Sequence, residues 1–188
     1  MNFILASASP RRQMLLRQIG IEATIIKPDG FVEKTQIDGS IKALVRFNAL
    51  GKATFVQQQV SAADVLIAAD TIVAFEGKIL GKPQNRIKAQ EMLECLAGKM
   101  HHVITCLVVM YKGQTEVACV TTEVYFRSLT ASEIEDYLAA GESMDKAGAY
   151  GIQGQGAILV EKINGCYNNV VGLPLTCLYK MLNKLEVK

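Results

Sequence analysis

Four short segments carry polar groups where a hydrophobic core would not ask for them. Ser7-Ala8-Ser9-Pro10-Arg11-Arg12 brings two hydroxyls and two guanidinium groups to a point where an apolar strand gives way to a helix. Open backbone N–H groups at a helix N-terminus attract anions, and arginine grips phosphate oxygens with paired bonds. Arginines at that end oppose the helix dipole. The plain alternative is that Ser9 only caps the helix and the arginines are solvated. Asp70-Thr71 follows the apolar run Val65-Leu66-Ile67-Ala68-Ala69. A carboxylate at the carboxyl end of a buried strand can hold a divalent cation or take a proton from water. A strand-end Asx-turn is the competing reading. Gly81-Lys82-Pro83 holds a lysine on a turn as a point charge for phosphate, or simply as a solvated lysine. Asp145 to Gly154 includes Gly148, Gly151 and Gly154, which let backbone approach a ligand, and Gln153, which can both donate to and accept from a base edge. A glycine-rich connection would look the same. Asp29 and Glu33 lie in a polar loop after Pro28, and either could join Asp70 around a cation.

Other chemistries find little material. No Walker loop and no dinucleotide-binding glycine pattern occurs. His101 and His102 are adjacent, so on a strand they point to opposite faces and cannot chelate together. They are expected to be surface or strand-end residues. With no third histidine, a serine–histidine triad or a zinc site is not expected.

These segments need elements to hold them. Asn2 to Ala6 reads as a buried strand, and Ser9-Pro10 as the start of a helix with Leu15, Leu16 and Ile19 inward and a stop at Gly20. A second helix is expected from about Ser40 to Gln58, with Ile41, Leu44, Val45 and Phe55 inward. Val65 to Ala74 is a strand, turned back at Glu76-Gly77-Lys78. Asn85 caps a helix ending at Gly98; His102 to Tyr111 and Glu116 to Phe126 are strands joined through Lys112-Gly113. Thr130 and Glu133 have capping-box spacing, Ala157 to Ile163 reads as a strand, Asn164-Gly165 as a turn, and Pro174 opens a last helix. The expected fold is α/β, a mixed β-sheet with flanking helices, in a single domain over residues 1–188.

Length and charge bound the rest. The 188 residues are 50% apolar with a net charge of +2, which excludes a disordered chain and gives no general attraction to nucleic acid. Apolar runs fall short of a membrane span. Cys95, Cys106, Cys119, Cys166 and Cys177 mostly sit in apolar stretches and contain no Cys-x-x-Cys, as reduced core thiols of a reducing compartment do. The expectation is a soluble, cytoplasmic protein without nucleic-acid or membrane partners.

Taken together, Leu5 to Arg12, Ala69-Asp70-Thr71, Leu80 to Pro83, Asp145 to Gly154 and Val171-Gly172-Leu173-Pro174 resemble the Maf proteins, collinearly from about residue 3 to 185. These are nucleoside triphosphate pyrophosphatases, first named for an effect on septum formation. The resemblance implies two lobes around a deep cleft, hydrolysis to a monophosphate and pyrophosphate, a divalent cation (Mg²⁺ or Mn²⁺) and a homodimer. It implies that Asp70 is the general base and, with Glu33, the metal ligand. It implies that Arg11, Thr71 and Gln153 set substrate choice, and that Ser7, Arg11, Arg12, Lys52 and Lys82 bind phosphate. Ser-Pro-Arg-Arg, Asp-Thr and Tyr-Gly-Ile-Gln resemble the branch acting on dTTP and UTP. The branch acting on 7-methyl-GTP tends to carry Trp after the proline, Asp-Gln and a Glu near position 153, none of which occurs here. Two departures from the family pattern stand out, Cys106 and the pair Phe47-Asn48, neither at a named site position.

Overall fold

In the computed structural model, residues 1–36 and 39–187 are described. Seven strands form one mixed sheet. In chain order the elements are β1 (Phe3–Ala6), α1 (Pro10–Gln18), β2 (Ala23–Ile25), α2 (Ile41–Gln57), β3 (Val65–Phe75), β4 (Lys78–Leu80) and α3 (Arg86–Leu96). There follow β5 (Met100–Tyr111), β6 (Gln114–Phe126), α4 (Ala131–Ala139), β7 (Val160–Asn164), α5 (Tyr167–Val171) and α6 (Leu175–Lys184). The sheet order is β2-β1-β3-β5-β6-β7, with β4 paired to β3. Mixed pairing is explicit: β1 runs parallel to β2 and β3, while β3–β4 and β6–β7 are antiparallel. This is the α/β class that the alternation of elements implies.

The chain divides into two units. The first holds Met1–Asp70, Thr105–Val120 and Gly172–Lys188; the second holds Thr71–Ile104 and Thr121–Val171. In the first, β1 and the start of β3 are buried along almost their whole length, as strands covered on both faces are. The parallel register sets Ala6 against Ala68; β1 ends there, while β3 runs on through Asp70 to Phe75. Asp70 therefore lies inside β3, two residues beyond its last pairing with β1, and not at a strand end as expected. In the second, the core gathers Val73, Phe75, Leu93, Leu96, Phe126, Tyr137 and Tyr150 from strands, helices and the glycine-rich loop.

Turn chemistry behaves as the residue types demand. Glu76-Gly77 and Lys112-Gly113 both take positive φ at both positions, the primed turn whose twist matches a hairpin. Asn85 and Thr130 cap α3 and α4 through their side chains, and Thr130 with Glu133 completes a capping box. Four further expectations need correction. Ser9 occupies the cap position of α1 without a side-chain cap bond; its own N–H is taken by Ser7 Oγ at 3.2 Å. Residues 157–159 are a 3₁₀ turn rather than strand, and β7 starts only at Val160. Cys106 and Cys119, on β5 and β6, are joined by a disulfide rather than standing as separate thiols. His101 is not at the surface: it is 1% exposed. No helix among the described residues is long and apolar enough to cross a membrane.

Candidate active site

The carboxyl end of β1 and the middle of β3 collect the first unit's polar groups. Asp70 is buried, and its Oδ1 accepts from Lys52 Nζ at 2.6 Å. The same ammonium lies 2.7 Å from Glu33 Oε1. Lys52 thus bridges two carboxylates, one 7% and the other 55% exposed at the side chain. Asp70 Oδ2 is buried and has no hydrogen-bond partner among the described residues. A buried carboxylate oxygen left open is expensive unless something else uses it.

Arg12 sits beside this group and is turned inward. Its Nε donates to Gly172 O at 2.9 Å, and its Nη1 donates to Ala69 O at 2.8 Å and Ser7 Oγ at 3.0 Å. One guanidinium ties the start of α1 to the last residue before Asp70 and to the segment leading into α6. Burial lowers its pKa, opposed by Asp70 next in size, but a guanidinium stays charged in any such setting. Ser7 Oγ accepts from both Ser9 N–H and Arg12. Arg11, next along α1, is half-buried. The structure thus brings Ser7, Arg12, Lys52, Asp70 and Glu33 into one connected cluster.

Thr71, Lys82 and Gln153 belong to the second unit. Lys82 is exposed on the turn before buried Pro83, and Gln153 is half-buried. Gly148 N–H donates to Gly81 O at 3.1 Å, which joins the lysine turn to the glycine-rich loop. The glycines of that loop serve its own packing. A Cβ on Gly148 would press Val73 at 3.1 Å, one on Gly151 would meet Lys146 at 2.8 Å, and one on Gly156 would fall 2.0 Å from Gly151 O. The loop is pinned from below by His101, whose Nε2 is 2.7 Å from Tyr150 Oη. The His101, Phe126 and Tyr150 rings stack edge to face.

A hard cation takes oxygen ligands, and magnesium is held by one or two carboxylates with water and phosphate completing its shell. Among the described residues no three His, Cys, Asp or Glu side chains converge. The open Asp70 Oδ2 with Glu33 alongside suits a site completed by a phosphate ligand, and does not suit an all-protein cage.

Sequence reading passed over two residues of α2. Asn48 is buried and holds both backbone groups of Lys34, the residue after Glu33. Lys52, reached before only through resemblance, is the bridge itself. The signal for both was present: on α2 the buried stripe Leu44, Val45, Asn48, Ala49, Lys52, Ala53, Val56 is apolar except at two positions four apart. Polar groups on a core stripe are unusual enough to ask what they hold.

Comparison with known proteins shows what the chain is similar to. The model of a family described as Maf-like protein matches residues 2–185. A dTTP/UTP pyrophosphatase of Clostridium botulinum is 44% identical over 190 residues, covering 99% of this chain and 98% of the relative. One from Syntrophomonas wolfei is 47% identical over 182 residues, covering 95% and 94%. A crystal structure of a nucleoside-triphosphatase / dITP/XTP pyrophosphatase from Mycobacterium abscessus aligns over 99% of this chain and 97% of its own at 14% identity, with a TM-score of 0.49, too distant to add to the fold described above.

Proposed function

The chain belongs to the Maf-like family, and on that premise we propose that it is a nucleoside triphosphate pyrophosphatase with dTTP and UTP as preferred substrates. Enzymes so named are 43–47% identical to it over nearly its full length. The observation that carries the reading is Asp70: a buried carboxylate with one oxygen ion-paired to Lys52 and the other open.

In this reading Asp70 Oδ2 takes the proton of a water molecule as its oxygen attacks the α-phosphorus in line. The bond from that phosphorus to the bridging oxygen breaks, and pyrophosphate leaves with the electron pair. Lys52 pairs with Asp70 and, with Arg11 and Lys82, balances the triphosphate. Arg12 acts mainly from behind: its bonds to Ala69 O and Ser7 Oγ fix the stretch of β3 that presents Asp70. Asp70 and Glu33 would hold a divalent cation, Mg²⁺ or Mn²⁺, which when bound neutralises charge on the phosphates.

Thr71 and Gln153 are the residues proposed to read the pyrimidine edge. One good polar contact to a base is worth about 1–3 kcal/mol, enough for preference and too little for absolute selection. Modified uridine nucleotides are therefore expected to turn over as well. Action in the cytoplasm as a homodimer, with nucleotide-pool cleansing and a link to septum formation, extends the same reading on the family resemblance.

The test is pyrophosphate release from dTTP, UTP, CTP, dATP, GTP, ITP and 7-methyl-GTP with Mg²⁺ or Mn²⁺. Preference for dTTP and UTP, with the monophosphate as co-product, is the expected result. Preference for 7-methyl-GTP would keep the reaction and overturn the roles of Arg11, Thr71 and Gln153. No turnover from folded protein would point instead to a nucleotide-binding regulator. In the same assay Asp70→Asn should fold and lose about 10²–10⁴-fold in kcat, the usual loss with a general base; near-normal turnover would remove Asp70 from that role.

A further inference from the structure

Glu33 stands in a stretch with little to hold it. Residues 26–36, all described, form neither helix nor strand. Yet its carboxylate meets Lys52 at 2.7 Å. Something other than secondary structure must set that position, and α2 supplies it.

Asn48 is 3% exposed on α2, one turn before Lys52, so both side chains leave the same helix face. Lys34 N–H donates to Asn48 Oδ1 at 2.9 Å, and Asn48 Nδ2 donates to Lys34 O at 3.0 Å. One side-chain amide thus serves both backbone groups of a single residue, as a neighbouring strand would. Three further contacts run along the same helix. Phe31 lies over Gly51 so closely that a Cβ there would come within 2.2 Å of its ring. Gly30 packs on Phe55, where a Cβ would stand 3.1 Å from the ring, and Lys34 Nζ sits 4.3 Å from the centre of the Phe47 ring. The segment therefore runs along α2 in reverse, residue 30 against 55, 31 against 51, 33 against 52 and 34 against 47 and 48. Of these contacts the Asn48 pair is the one that holds the backbone, and it falls one residue from Glu33.

We propose that Asn48 is a positioning residue for the hydrolytic site: by clamping the Lys34 peptide to α2 it fixes the Glu33 carboxylate at Lys52 and Asp70. The inference rests on the working role given to Glu33 and Asp70 above. Asn48 touches neither Asp70 nor the phosphate-binding groups by any hydrogen bond described here; it acts through the backbone next to Glu33.

Asn48→Ala separates positioning from folding, because alanine suits a helix interior better than asparagine and α2 itself should not weaken. A misplacement of about 1 Å in a catalytic group can lower rate by about 10²-fold. N48A is therefore expected to lose about 10- to 100-fold in kcat for dTTP with little change in KM, and the Lys34 amide should exchange faster with deuterium. The deciding comparison is a double-mutant cycle with Glu33→Ala. If Asn48 works through Glu33, N48A/E33A is no slower than E33A alone. Losses that multiply in the double variant, or N48A at wild-type kcat while E33A is slow, would overturn the inference. A fully active E33A would overturn the site reading beneath it, and so separates the two failures. Should N48A not fold, the same cycle is run with N48D, which keeps the bond from the Lys34 amide.

Discussion

Each unit buries a polar cluster, and the two are built on opposite terms. Around Asp70 the first unit holds charge: a lysine between two carboxylates, an inward arginine, and a carboxylate oxygen without a partner. Around Tyr150 the second unit holds neutral groups: a histidine, a tyrosine and a phenylalanine stacked edge to face with one hydrogen bond between them. Burial drives His101 toward its neutral form and Tyr150 likewise. The first arrangement is costly to fold and ready to react, and the second is uncharged and held by its stacked rings. The charged cluster is suited to chemistry, and the neutral one to holding the loop that carries Gln153.

The contrast breaks most visibly at Lys52. With side chains only 10% and 7% exposed, Lys52 and Asp70 are a buried pair, and removing one partner strands the other. Lys52→Met should therefore destabilise the fold by about 3–5 kcal/mol, and adding Asp70→Asn should recover much of it. Urea unfolding of the single and double variants measures this. If K52M were as stable as wild type, the charge in the first cluster would be less confined than its geometry says.

Acid sharpens the contrast from the other side. Burial, and then His102, hold folded His101 at about 4, against 6.5 for the free group. Between those values the unfolded chain binds the proton and the folded chain does not. Stability on this account is complete above pH 6.5, falls as pH drops through the window, and levels off below 4. The loss amounts to about 3 kcal/mol. His101→Gln removes the titration while keeping a donor for Tyr150 Oη. Urea midpoints at neutral and mildly acidic pH should differ less in H101Q than in wild type; an equal acid loss in both would show that His101 is not the group responsible.

How far sequence reaches differs between the two clusters for a physical reason. Residue types following two apolar runs were enough for Ser7, Arg12 and Asp70, because those runs pair in parallel as β1 and the start of β3. Caps and primed turns were legible because they are local. What escaped depends on distant partners. Strand β2 is three residues, half-exposed, and exists by pairing with β1. Residues 157–159 form an apolar run like a buried strand's, but Gly154 at φ +64° and Gly156 against Gly151 O accompany a 3₁₀ turn there. Alternation put His101 and His102 on opposite faces and could not say which face was inside. The glycines around Tyr150 allow either close approach of a ligand or a tightly packed connection, and residue types do not show that a Cβ at Gly148, Gly151 or Gly156 would meet Val73, Lys146 or the Gly151 carbonyl. Asn48 looked like a harmless departure because its partner lies 14 residues back in an irregular segment.

The smallest expected effect is the finest test of the difference. Tyr150→Phe removes one oxygen and leaves the edge-to-face contacts with Phe126 and His101, at 4.7 and 5.3 Å between ring centres, in place. His101 already has Nδ1 buried without a partner, and the change would strip Nε2 as well. A buried polar group left unmade costs about 1–3 kcal/mol. Thermal or urea unfolding should register that loss. Turnover of dTTP below the melting transition should stay within about twofold of wild type, since nothing that bonds to phosphate or to the attacking water has changed. A stable Y150F with strongly reduced kcat would mean that the neutral cluster takes part in the chemical step, and the division between a reacting region and a holding region would fall. A change confined to the ratio of kcat/KM for dTTP and CTP would leave the division standing and tie the His101–Tyr150 bond to the placing of Gln153.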